Sequence, residues 1–206
     1  MNDRQYYFIS LMIIIETMIP FFMIFEQRKP EARELVVIAV MVGIAILGRA
    51  AFFMFPYVKP IWAIVAISGV CLGAEAGFLC GAMTAFVSNF FFGQGPWTPW
   101  QMFALGLIGF LAGIFFKKGW LSKKRLPLCI FGFFSALIVY GLIMDTCTIF
   151  TLAFDTSTTG PLAYYISGFP VNMVYGISTF FFLWVLSKPM IEKLDRIKKK
   201  YGMMES

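Results

Sequence analysis

Histidine is absent from the 206-residue chain. That excludes imidazole-based acid–base and nucleophilic chemistry and removes the commonest metal ligand. No Gly-rich loop ends in Gly-Lys-Ser or Gly-Lys-Thr, so the chain has no Walker-A site with which to bind and hydrolyse ATP. The acid–histidine pairing that would suggest an intramembrane protease is missing too. Cysteine is sparse: Cys71, Cys80, Cys129 and Cys147 sit singly in apolar runs, at spacings that match no metal motif. They read as buried thiols packing as small hydrophobes. No inverted repeat divides the chain into two matching transporter halves. No cofactor, metal site or enzymatic activity is expected.

Charge is also scarce. Only 14% of residues are charged, whereas 60% are hydrophobic and 18% aromatic, well above the roughly 45–50% apolar content of soluble domains. One core in a water-soluble protein of this length could not hide so much apolar surface. The solvent must be lipid, and several windows reach the roughly 20 apolar residues that cross a hydrocarbon layer about 30 Å thick. The net charge of +6 is gathered in "EQRKPEARE" (26–34), "KKGWLSKKR" (117–125) and "KPMIEKLDRIKKK" (188–200). Short basic loops beside apolar spans mark the cytoplasmic side of a membrane protein, so nucleic acid is not the expected partner.

Spans are predicted at 6–25, 34–55, 61–73, 76–92, 100–116, 126–150 and 164–187. The first has only Arg4 ahead of it, offset by Asp3, and no small-residue cleavage pattern follows; it reads as a mature span rather than a signal peptide. As one helix, 61–91 would run roughly 46 Å and hold Glu75 in mid-membrane. Parity separates the readings. Both basic loops should face the cytoplasm, which requires an even number of spans between them. Breaking the run at "LGAEAG" supplies four, with Glu75 a solvated turn residue. The N-terminus is then outside and the C-terminus cytoplasmic.

Three outer loops share an aromatic, Pro-rich composition: "FFMFPYVKP" (52–60), "FFFGQGPWTPW" (90–100) and "FTLAFDTSTTGPLAYY" (150–165). Aromatics at a membrane boundary can be an interfacial belt. Stiff aromatic loops beside Asn89, Gln94, Thr98 and Gln101 also suit a pocket for a flat organic ligand. Ionisable residues within spans are few. Arg49 and Asp145 fall at comparable outer depths, where they either pair with each other or line the pocket; Arg49 leans to the pocket and Asp145 to pairing. Glu16 lies mid-span, its carboxylate expected to meet a neighbouring helix or a partner subunit. Small residues recur four apart at Ala39/Gly43, Gly77/Gly81/Ala85 and Gly109/Gly113, a spacing that lets helices approach closely.

The stretch 48–113, and "SNFFFGQGPWTPWQM" (88–102) above all, resembles the substrate-specific S components of energy-coupling factor (ECF) vitamin transporters, nearest to the cobalamin-type branch. The resemblance covers 34–187 and implies an all-α membrane protein. A six-helix core (34–187) would follow an extra transmembrane helix and basic linker (1–33) and precede a basic cytoplasmic tail (188–206). It implies a subunit in the cell membrane that captures a vitamin from outside. A membrane T component and two ABC-type ATPases would then drive release inward, with toppling of the subunit as part of that cycle. Ala39 and Gly43 would correspond to the small residues that contact the T component. Substrate contacts are expected from Arg49, Phe53, Tyr57, Lys59, Asn89, Gln94, Trp97, Trp100, Gln101, Asp145 and Tyr164. Trp97 and Trp100 would stack on the ligand, while Gln94 and Gln101 hydrogen-bond to it. Cobalamin or a related corrinoid would suit wide aromatic loops and two cations. Riboflavin or another flat heterocycle would suit the same aromatics. A stand-alone ion-coupled transporter is the competing class and would need Glu16, Asp145 or Asp155 to carry the coupling.

Overall fold

Ile61–Leu72 contains no charged residue and, as a helix, buries every one of its side chains. It is the hub of the fold in the computed structural model, which describes residues 3–117, 119–152 and 160–202, with side chains except at 3–7, 9, 10, 13 and 152. The order is α1 (Asp3–Gln27), α2 (Ala32–Ala51), α3 (Ile61–Leu72), α4 (Ala74–Phe92), α5 (Thr98–Lys117), α6 (Arg125–Phe134), a π-helical turn (Ser135–Tyr140), α7 (Gly141–Leu152) and α8 (Pro161–Tyr201). No strand occurs among the described residues. α2, α4, α5, the continuous α6–α7 rod and α8 are each long and apolar enough to cross a membrane. The protein is an all-α polytopic membrane protein: a six-helix core, with α1 added before it.

The predicted break in 61–91 falls at Gly73, which ends α3 and starts α4 with φ of 104°. Only glycine takes that backbone region without strain. α3 is about 18 Å long, too short to span alone, and is enclosed on its sides by α2, α4, α5 and α8. Packing in lipid gains no hydrophobic force between helices, so close contact must come from small residues. Here a Cβ placed on Gly77 would lie 2.5 Å from the Gly109 carbonyl oxygen, and one on Gly109 2.2 Å from that of Gly77. The backbones of α4 and α5 touch at these glycines.

α2 presents a stripe with helical spacing: Ile38, Met41, Val42 and Ala45 are buried while Val36, Val40, Ile44 and Leu47 face outward. α1 lies against α4, α5 and α7. Phe21 stacks on Phe78 with ring centroids 4.0 Å apart, and Ile14 packs with Trp100 and Cys147. Glu16 is exposed on the opposite face, so the expectation that it meets a neighbouring helix of this chain does not hold.

The basic segments 26–34 and 188–200 converge on one end of the bundle. Arg28 pairs with Glu34 and lies 3.8 Å from Glu75; Glu75 is therefore half-buried beside a cation rather than solvated alone. Lys198 Nζ donates to the Cys71 carbonyl at 2.7 Å, satisfying an orphan acceptor at the C-terminus of α3. α8 runs on through the basic segment to Tyr201, about 60 Å in all. That is twice the hydrocarbon thickness, so the tail projects as helix beyond the span predicted to end at 187. The opposite end carries the loops at 52–60 and 93–97, and there the polar side chains gather.

Candidate ligand pocket

Arg49 stands in the last turn of α2 and turns across to α4. Its Nη1 donates to Ser88 Oγ at 2.5 Å and to Asn89 Oδ1 at 2.8 Å, and its guanidinium lies 4.8 Å from the centre of the Phe92 ring. Asn89 passes the link to α5: its Nδ2 donates to Gln101 Oε1 at 2.8 Å and to Thr98 Oγ1 at 3.1 Å. Asn89 is itself 1% exposed, so each of its bonds replaces a lost water contact. Three helices are thereby tied at one depth.

The 52–60 loop closes over this point. Tyr57 adopts φ of 63°, a conformation a bulky side chain holds only when its surroundings enforce it. Lys59 supplies the constraint. Its Nζ donates to the Phe52 and Phe55 carbonyls at 3.1 and 3.0 Å, and its backbone N–H donates to Ser178 Oγ of α8 at 3.1 Å. Partial burial, and then the nearby Arg49 charge, hold the Lys59 ammonium below its usual lysine range.

Beneath the loop lies a cavity of about 250 Å³, lined by Arg49, Tyr57, Lys59, Trp62, Gln101, Tyr140 and Tyr175 together with Ile61 and Leu105. Its aromatic walls hold one another edge to face. Trp62 and Tyr140 have ring centroids 5.3 Å apart, Tyr140 and Tyr175 5.5 Å, and Tyr57 and Tyr175 5.9 Å. Tyr140 closes the π-helical turn, a local rewinding often found at functional sites. Trp62 is 4% exposed, and its indole Nε1–H has no hydrogen-bond partner among the described residues.

Of the residues expected to contact substrate, Arg49, Tyr57, Lys59 and Gln101 line this cavity, and Asn89 positions two of them. The others lie elsewhere. Trp100 is buried in the cluster with Ile14 and Cys147 and stacks on Phe150 at 6.0 Å. Trp97 is 42% exposed and folds over Gly95. Gln94 is spent on the loop itself: its Nε2 donates to the Phe86 carbonyl and its Oε1 accepts from Thr98. Phe53 is exposed and stacks on Phe92 at 5.5 Å. Tyr164, in the first turns of α8, is not among the lining residues. The pairing considered for Arg49 and Asp145 is not formed, since Asp145 Oδ2 accepts from Asn172 Nδ2 at 2.8 Å. Asp155 and residues 153–159 of the third loop lie outside the described residues. Trp62, Tyr140 and Tyr175 are the cavity residues that sequence reasoning missed; each is an aromatic with a polar tip inside an otherwise apolar span.

At the basic end, Ala39 is exposed, and a Cβ on Gly43 would meet nothing within 4 Å. They flank a groove between α2 and α8 of about 640 Å³, walled by Val36, Val40, Ile44 and Leu194, with Arg33 and Lys193 also lining it.

The family model described as "ECF transporter, substrate-specific component" matches residues 33–192. Among curated proteins, a UPF0397 protein of Vibrio atlanticus is 31% identical over 117 residues, covering 53% of this chain and 64% of its own length. A UPF0397 protein of Aliivibrio fischeri is 29% identical over 123 residues, covering 53% and 67%. One of Aliivibrio salmonicida is 30% identical over 105 residues, covering 48% and 55%. The alignments thus span little more than half to two thirds of these relatives. No solved structure matches the chain.

Proposed function

The chain belongs to the family of ECF transporter substrate-specific components, and on that premise we propose that it captures a small vitamin-like compound in the cavity under the 52–60 loop. The chain carries no Walker-A sequence. A T component and two ABC-type ATPases supply the energy for import. Basic segments gather at the end opposite the cavity, which by the positive-inside rule makes that end cytoplasmic and the cavity end external. The C-terminus then lies in the cytoplasm and the N-terminus, one odd span earlier than the core, outside.

Ala39 and Gly43 form the contact with the T component. Their face of α2 is open in the isolated chain, and small side chains there let another membrane helix approach closely.

The cavity carries this reading, and its size bears on the substrate. Small-ligand sites commonly enclose roughly 300–1,000 Å³; a volume of about 250 Å³ suits a compound of one or two rings. A corrinoid with its nucleotide tail is bulkier than the ligands such sites hold. Of the two substrate classes that the aromatic loops suggest, a flat heterocycle therefore fits better than cobalamin.

The test is uptake in a vitamin-auxotrophic host that expresses the chain with or without the T component and ATPases. Import is expected only when all are present. Equal import without any ATPase would overturn the proposal in favour of an ion-coupled transporter.

A further inference from the structure

Every polar group that the cavity walls offer is a hydrogen-bond donor or can act as one. Asn89 already occupies Gln101 Oε1 and Tyr140 shares a side-chain hydrogen bond with Gln101, so Gln101 offers the cavity its remaining amide N–H. Both side-chain hydrogen bonds of Arg49 leave from Nη1, which leaves Nε and Nη2 with donor capacity. Lys59 Nζ has two carbonyl acceptors and can make a third bond. The three tyrosines bring hydroxyls, and Trp62, which also lines the cavity, has a buried indole N–H with no acceptor among the described residues.

Charge points the same way. Among the described residues, Arg49 and Lys59 line the cavity, no carboxylate does, and neither cation has an ion-pair partner. Two half-buried cations compensated only by neutral acceptors are costly near a membrane. An orphaned indole N–H adds to that cost. A ligand that brings negative charge and further acceptors would satisfy all of these groups together.

Building on the substrate-capture reading above, we infer that the ligand is a small planar anion: an aromatic or oxo-heterocyclic ring bearing a carboxylate or phosphate. Its acid group meets Arg49 and Lys59 in charge-assisted bonds. Its ring lies among Trp62, Tyr140 and Tyr175, and a ring or acid oxygen accepts from Trp62 Nε1. Trp62 is a binding residue in this arrangement.

The experiment incubates the purified full-length chain, in lipid nanodiscs, with the small-molecule fraction of yeast extract. After washing, bound compounds are released and identified by mass spectrometry, which also tells a carboxylate from a phosphate. A retained planar acid is the expected result. A retained corrinoid, or a compound with no acid group, would overturn the inference while leaving the substrate-capture reading intact. A folded protein that retains nothing would overturn both.

Two further measurements use the identified compound. Its neutral ester or amide, tested on the unaltered protein, should bind at least about ten-fold more weakly; equal affinity would exclude the charge contact. Trp62→Phe keeps one aromatic ring but deletes the pyrrole ring with its orphan N–H. The loss of buried ring volume and the removal of an unsatisfied donor act with opposite signs on the stability of the ligand-free variant. Its affinity for the ligand should fall about ten-fold. A lower melting temperature with unchanged affinity would make Trp62 a structural residue only.

Discussion

Arg49 Nη1 donates to Asn89 Oδ1 at 2.8 Å, joining the last turn of α2 to the last turn of α4 just below the loops. Asn89 in turn holds Gln101, so one buried amide sets the positions of two cavity residues. Asn89→Ala should therefore cost about 1–3 kcal/mol in stability by stranding polar groups. It should also weaken substrate binding, although Asn89 does not line the cavity. Because the effect passes through Arg49, Arg49→Met and Asn89→Ala should be non-additive by at least about 0.5 kcal/mol in a double-mutant cycle on affinity. Calorimetric titration of the four proteins measures this, and additive losses would show that the two residues act independently.

Glycines separate into two kinds by what surrounds them. Gly109 meets the backbone of Gly77, whereas Gly43 meets nothing. A side chain at 109 has no flexible neighbour to displace, and Gly109→Val should destabilise the subunit by at least the roughly 1–3 kcal/mol typical of overpacking. Gly43→Ala should not destabilise it, since removing a mid-helix glycine favours the helix by about 0.5–1 kcal/mol. Thermal melts in detergent compare the two directly.

Lys59 gives the cavity a pH signature with two opposite signs. Burial and Arg49 lower its folded pKa, so the unfolded chain holds this proton to higher pH. The ligand-free protein therefore gains stability as pH rises through the folded pKa toward the ordinary lysine value. Affinity for an anionic ligand should fall over the same interval, as the ammonium loses its charge. Arg49 stays charged throughout. Lys59→Gln isolates the lysine: it should flatten the stability rise and reduce the alkaline loss of affinity. Binding and melting curves across the alkaline range test both signs.

The helices were legible because lipid imposes one periodicity and one length. The break at Gly73 followed from charge parity and the misfit of a long helix carrying Glu75, and a glycine at φ of 104° marks it. The lining of the cavity was half legible. Arg49 and Lys59 stand out as cations at the outer limit of apolar runs, and Tyr57 and Gln101 by their loops. Trp62, Tyr140 and Tyr175 do not, because an amphipathic aromatic within a span reads as core. The π-helical turn that ends at Tyr140 also changes which face the next residues occupy, and no simple 3.6-residue pattern signals it. Trp97 and Trp100 lie outside the cavity for the converse reason. Loop aromatics advertise a pocket, yet Trp100 is drawn into the contact between α1, α5 and α7.

That last placement separates fold from function in the other direction. Trp100→Ala would remove a buried ring that packs with Ile14 and Cys147, and should cost about 3–5 kcal/mol of stability. Trp97→Ala removes a ring that is 42% exposed and should leave both stability and affinity nearly unchanged. The proposed partner surface needs a change that does neither. Gly43→Trp fills open space on α2, far from the cavity end, so the isolated subunit should fold and bind its ligand as before. Assembly with the T component and ATPases should be lost, because a bulky ring prevents the close approach that small residues permit. Co-purification from membranes, scored beside ligand binding by the same preparation, distinguishes these outcomes. A Gly43→Trp subunit that still assembles would place the T-component contact on another face.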